Sequence, residues 1–194
     1  QGGVLTLTTA ALGASNIGTD TSDTTLLEYT AVAASNIEVR QTEFTLCHDP
    51  AGDGSYAAAA DIDSGWSDLV DFKVTNKATG TTIIGPADGS AFTTSDAGTC
   101  EDAVTGAQKQ FTDTYDLLAG QTYTFKVTAD IKTANTDGNG LGLSAADAIQ
   151  VFLDNFVDDT PSLSVMRYSG TNTSVADADI VPQSDLAGPA LTIQ

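Results

Sequence analysis

The stretch "NTDGNGLGLSAAD" carries the clearest candidate chemistry in the chain. Asn135, Asp137 and Asn139 put short oxygen-bearing side chains at alternate positions, with Gly140 as the turning residue. This is the opening spacing of a calcium loop. The twelfth position is Ala146, and Asp147 follows one residue late. We therefore read Asn135, Asp137, Asn139 and Asp147 as the candidate Ca²⁺ ligands, against the alternative that Asp-Gly and Asn-Gly are turn dipeptides needing no metal. Asp49, Asp53, Asp61, Asp63, Asp158 and Asp159 are further carboxylates on turn-rich segments.

Cys47 in "FTLCHDP" and Cys100 in "DAGTCED" fit no zinc or redox spacing, and we read them as a disulfide formed outside a reducing compartment. The alternative is two separate buried thiols. His48 stands between Cys47 and Asp49, but neighbours on a strand point to opposite faces, so no Cys-His pair is expected. The sequence has no nucleophile elbow, Walker loop, zincin helix or dinucleotide fingerprint, and we read it as not an enzyme. Trp66, between Gly65 and Ser67, suits either a sugar-stacking platform or a plug over the fold. "NTS" at Asn172 is an N-glycosylation sequon.

With 7 Lys and Arg against 26 Asp and Glu, the formal charge is −19. Such a surface repels nucleic acid and anionic lipid and favours cations. The acidity reads either as cation-collecting loops or as a solvated face. No apolar run is long enough for membrane insertion, and the start lacks the layout of a leader. The chain thus reads as soluble or already processed, and Gln1 would be able to cyclise if a leader had been removed.

These residues must be positioned by strands. In "QTYTFKVTADIKT", Tyr123, Phe125, Val127, Ala129 and Ile131 alternate with polar neighbours, which predicts a half-buried strand. "KQFTDTYDLL" predicts an antiparallel neighbour of it. "TTLLEYTAVAA" predicts another strand with Leu27, Tyr29, Ala31 and Ala33 inward. In "SNIEVRQTEFTL" the apolar parity changes, which predicts a bulge near Gln41 and Thr42 or a crossing between sheets. "LVDFKVTN" and "TTIIGP" predict a hairpin, and residues 86–109 a long loop with one short strand near Phe92. "SAADAIQVFLDNF" opens like a helix cap, but its β-branched alternation favours a strand, and "SLSVMRYSG" is another with Leu163 and Val165 inward. Eight to ten short strands with turn clusters predict one antiparallel β-sandwich over residues 1–194 with long acidic loops.

The elements "GVLTL", "LLEYTAVAA", "IEVRQTEFTL" and "LLAGQTYTFKVTADI" resemble immunoglobulin-like β-sandwich modules of bacterial and archaeal cell-surface or surface-layer proteins. "GGVLTLT" is also similar to the early strand of fibre subunits of the TasA and camelysin type, which lend a terminal strand to the next subunit. The resemblances imply an extracellular, cell-surface role. Both raw ends read as strands, and termini fray unless docked. We therefore expect residues 1–9 and 188–194 to be exchanged strands, with Val4, Leu5, Leu7, Leu191 and Ile193 at a subunit interface. The expected function is a structural subunit of a pilus-like filament or surface layer, a head-to-tail homopolymer growing by strand addition. The alternatives are a calcium-dependent adhesive or carbohydrate-binding module for cell-surface or matrix polysaccharide, and a single module of a tandem array, in which each end is paired inside its own sheet.

Overall fold

Alternation decides the architecture, because each strand that buries every second side chain needs a second layer to bury it against. The computed structural model describes residues 4–18, 20–49, 68–100, 105–132, 143, 145–154 and 165–194, with backbone alone at 93–99 and 105. Its strands are β1 (Leu5–Thr9), β2 (Ser15–Ile17), β3 (Thr21–Ala33), β4 (Ile37–Val39), β5 (Thr42–Asp49), β6 (Leu69–Asn76), β7 (Thr81–Ala87) and β8 (Thr93–Thr99). There follow β9 (Thr105–Phe111), β10 (Tyr115–Leu117), β11 (Thr122–Ile131), β12 (Ala148–Leu153), β13 (Met166–Tyr168), β14 (Ile180–Val181), β15 (Leu186–Ala187) and β16 (Leu191–Ile193).

The first sheet runs β14-β1-β3-β11-β6-β7, and the second β2-β16-β12-β5-β9-β8, with β15 beside β12. A small third sheet has the order β10-β4-β13. The molecule is an all-β sandwich, as its sequence predicts. Aromatic rings join the layers: Phe44 of β5 lies 5.3 Å from Phe72 of β6, and Phe72 stacks on Phe111 of β9 at 5.8 Å. Such pairs add to the burial of the rings themselves.

The parity change after Val39 is a crossing. β4 sits in the small sheet and β5 in the second, and between them the N–H groups of Arg40 and Gln41 both donate to the Val165 carbonyl. A true bulge occurs elsewhere. β11 pairs Val127 with Leu27 and Thr128 with Thr25, leaving Leu26 as the extra residue. This turns Leu26 and Leu27 both inward, each 1% exposed.

Two expectations need correction. "KQFTDTYDLL" is not a partner of β11: it divides into β9, paired with β5 and β8, and β10, paired with β4. The break falls at exposed residues 112–114, where the Asp113 carboxylate accepts the Gly85 N–H at 3.3 Å. Residues 86–109 hold two strands, β8 and β9, rather than a loop. Their polar composition concealed strands whose pairing is supplied by backbone. The β6–β7 hairpin and strand β12 stand as read, and Leu163 lies outside the described residues.

Candidate functional site

The two boundary strands meet the opposite ends of their own chain. β1 lies antiparallel to β3 along Leu5–Thr9 and parallel to β14 at Leu5 and Thr6. β16 lies between β12 and a parallel β2. The N-terminal and C-terminal segments thus cross together from the first sheet to the second. Leu5, Leu7, Leu191 and Ile193 are 0%, 4%, 2% and 1% exposed, while Val4 is 43% exposed. Within one chain, both strands have sheet partners and their apolar faces have a core, so neither end needs a sister copy in order to be docked.

The outer edge of β1 is only partly covered. Its far side is covered by β14 at two residues, after which Pro182, with no N–H to offer, leads the chain away. An open groove of about 490 Å³ follows, lined by residues including Thr6, Leu7, Thr8, Thr9, Val181 and Leu186. Residues 10–14 join β1 to β2 through a connector in which Gly13 has nothing within 4 Å of where a Cβ would stand.

Cys47 and Cys100 form the disulfide, and with Phe152 they make a small apolar cluster beside the main core. The backbone must come close beneath it. A Cβ on Gly106 would lie 2.8 Å from Cys100 Sγ and 2.8 Å from the Leu46 carbonyl oxygen.

Asp49, Asp68, Asp130 and Asp147 lie at or beside strand ends. β5 finishes at Asp49 opposite the start of β12, and β11 finishes at Ile131 opposite the starts of β3 and β6. The Ile193 N–H donates to the Asp147 carbonyl, the Gln194 N–H to the Ile17 carbonyl, and the Leu143 N–H to Asp68 Oδ2. Buried here, His48 Nε2 lies 3.2 Å from Asp147 Oδ2, with both side chains under one-tenth exposed. Cys47 faces away into the disulfide, so the strand alternation separates it from His48 as expected.

Of the expected calcium ligands, Asp147 is thus placed against His48, whereas Asn135, Asp137 and Asn139 lie outside the described residues, as do Trp66, Asp53, Asp61, Asp63, Asp158 and Asp159. Sequence reading missed a different carboxylate group. Asp23, Asp71 and Asp130, on β3, β6 and β11, bring carboxylate oxygens within 4.8 Å of one another. Their register is the missing signal, since three distant residues become neighbours through strand pairing alone. Lys73 Nζ stands among them, 2.9 Å from Asp23 Oδ1 and 2.6 Å from Asp71 Oδ2. Its hydrogen bond and charge hold the Asp23 carboxyl below its ordinary value, and the same carboxylates push the Lys73 ammonium up. The group fits a resident ammonium ion; a calcium ion would have to displace it.

Tyr29 of β3 is buried, and Tyr115 of β10 is half-buried against the same core. Burial drives the Tyr29 hydroxyl well up and pushes Tyr115 up to about 12. Near the other end of the third sheet, burial and the bond from Tyr168 to Asp179 Oδ2 at 2.9 Å push Tyr168 up to about 12. Asn172 is exposed on the turn that follows β13.

No protein-family model matches the sequence, and no curated protein matches it. Among solved structures, the chain is similar to AvmM, which catalyses macrocyclization in alchivemycin A biosynthesis, with a TM-score of 0.42 and 8% identity over 97% of this chain and 88% of that one. It is similar to BslA, a bacterial hydrophobin, with a TM-score of 0.26 and 14% identity over 80% of this chain and 83% of that one. The third is the CssB subunit of Escherichia coli colonization factor CS6, complemented with a donor strand from CssA, with a TM-score of 0.27 and 9% identity over 98% and 97% of the two chains. None of these likenesses assigns a function to this chain.

Proposed function

We propose that the chain is an extracellular structural subunit of a filament or surface layer, in which copies are joined by exchange of β1. The observation that carries this reading is β1 itself. It is a strand with two leucines in the core, a partly open outer edge, and a glycine-containing connector. At about 1.5–3 kcal/mol for each buried leucine, the slot offers a neighbouring copy's β1 roughly 3–6 kcal/mol of apolar burial beside its main-chain bonds. Exchange reproduces the same residue pairs between two molecules. Repeated head to tail, it does not close, so it builds a fibre. The disulfide and the strongly acidic surface support an extracellular setting.

The test uses the register of Thr8 with Thr30, and the native cysteines leave no free thiol to interfere. The Thr8→Cys/Thr30→Cys variant is allowed to assemble, checked by electron microscopy, oxidised, and run on a non-reducing denaturing gel. Exchange gives a ladder of covalent multimers. A single monomer band from assembled material, or the absence of any assembly, overturns the reading.

A further inference from the structure

We propose that Asn172 carries an N-linked oligosaccharide, an assignment that rests on the extracellular reading above. The motif Asn172-Thr173-Ser174 is the one Asn-X-Ser/Thr sequence in the chain. A motif of this size arises by chance, so the surroundings decide. Residues 170–173 are all exposed, and a side chain added at Gly170 would meet nothing within 4 Å. The turn itself is held rigidly. The Thr171 N–H and hydroxyl both donate to the Tyr168 carbonyl, at 3.0 and 2.8 Å, the Tyr168 N–H donates to the Thr173 carbonyl at 3.0 Å, and the Thr173 N–H reaches Thr171 Oγ1 at 3.2 Å.

The other turn asparagines make the contrast. Asn36 Oδ1 accepts the Ala119 N–H at 2.8 Å, and Asn76 Oδ1 accepts the Ala78 N–H at 3.0 Å, so both carboxamides are built into their turns. The Asn172 carboxamide has no hydrogen-bond partner among the described residues. It can be substituted without loss of a contact.

In the reaction, Asn172 Nδ2 attacks the anomeric carbon of a polyprenyl-pyrophosphate-linked oligosaccharide. An N–C bond forms, the C–O bond to the pyrophosphate breaks, the lipid pyrophosphate leaves with the electron pair, and Nδ2 gives up one proton. The Ser174 hydroxyl is the recognition element at the third position. Once folded, Ser174 bridges to Arg167, and the Val175 N–H donates to the Met166 carbonyl at 3.2 Å. Residues 173–175 therefore form the outer margin of the third sheet. An oligosaccharide at Asn172 would shield this margin from pairing with another chain, leaving β1 as the route of assembly.

The test is the intact mass of the chain secreted by its own cells, read on denatured monomer so that the result is independent of assembly. Wild type should exceed its polypeptide mass by one glycan. Asn172→Gln and Ser174→Ala should each lose the whole excess, and Ser174→Thr should keep it. Asn172→Gln lies on the exposed turn, and its melting temperature is measured alongside to show that it folds. Wild-type chain at the bare polypeptide mass, or an excess that survives Asn172→Gln, overturns the assignment.

Discussion

β1 and β12 send apolar side chains into the same core, yet they are held in different ways. All six residues of β12 are buried, and the strand is flanked by β5 on one side and by β15 and β16 on the other. In β1 the pattern is two buried and three exposed positions, with β3 along its length and β14 over two residues. Burial on both faces makes β12 part of whatever remains when the molecule opens locally. Burial on one face, beside a partly open edge, makes β1 a piece that leaves and returns without global unfolding. The comparison predicts that β12 amides exchange with solvent near the global unfolding limit, while β1 amides exchange through a smaller opening.

Removing the disulfide should have the largest effect, because it acts on the β12 side. A sequence separation of 53 residues corresponds to about 4 kcal/mol of restriction on the unfolded chain. Cys47→Ala/Cys100→Ala should lower the melting temperature by roughly 8–16 °C, at about 2–4 °C per kcal/mol for a chain of this size. Calorimetry showing a fall of about 2 °C or less would mean that packing around Phe152 holds this region without the bridge.

Leu5→Ala probes the other side of the comparison. A core leucine truncated to alanine costs about 2–5 kcal/mol, and Leu5 is 0% exposed. If β1 leaves its slot as a unit, this variant should also speed exchange of β1 amides while leaving the opening that exposes β12 governed by the global loss alone. Equal acceleration at every amide would show that β1 and β12 open together and would remove the distinction.

Gly188→Ala tests the joint between the sheets and should cost about 1–3 kcal/mol by overpacking. A Cβ at Gly188 would run into the Leu26 carbonyl oxygen and come within 3.1 Å of the Val151 carbonyl oxygen. The β3 bulge thus presses directly on the β12–β15 pair. Urea unfolding reads the loss, and a wild-type midpoint would mean that the bulge can shift to make room.

The difference between these regions also marks what could be read in advance. Strict alternation in β11 and the β-branched run in β12 announce strands because the pattern itself needs a pleated, buried surface. Residues 93–111 resisted reading, since Thr, Gly and Gln make a strand whenever neighbouring backbones offer partners. The crossing at Arg40 and Gln41 left its trace as a parity change, but the Asp23–Asp71–Asp130 group left none. Its members come together through register, which local sequence does not encode. The end strands were legible as strands but their pairing was not, because alternation says which face is apolar and nothing about whose sheet receives it.

Alkaline titration gives a smaller effect with a definite sign. Burial pushes Tyr115 up to about 12, against about 10 for an unfolded tyrosine. The folded state therefore holds a proton that the unfolded chain has lost between about pH 10 and 12. Stability from this group is complete below about pH 10 and declines as the pH rises through about 12. Phenolate absorbance should show Tyr29 and the half-buried Tyr115 ionising together with unfolding. Ionisation of all tyrosines near pH 10 with the fold intact would mean that the third sheet admits water.

The smallest effect belongs to the Lys73 group, which lies on the first sheet's surface and touches neither β1 nor β12. The Asp23 side chain is 65% exposed, so its pair with Lys73 contributes under about 1 kcal/mol after solvent screening. Because Lys73 holds the Asp23 carboxyl down, that stability is present above the carboxyl's ordinary value near 3.8 and is lost as the pH falls through its depressed value in the folded chain. Lys73→Met should therefore lower stability slightly at pH 7, and the difference from wild type should shrink in molar salt and in strong acid. With the ammonium gone, three carboxylates are left facing one another, and added calcium should raise the melting temperature of the variant by more than that of wild type. Equal calcium responses in the two proteins would show that the carboxylates spread apart instead of closing on an ion, and that Lys73 is what draws them together.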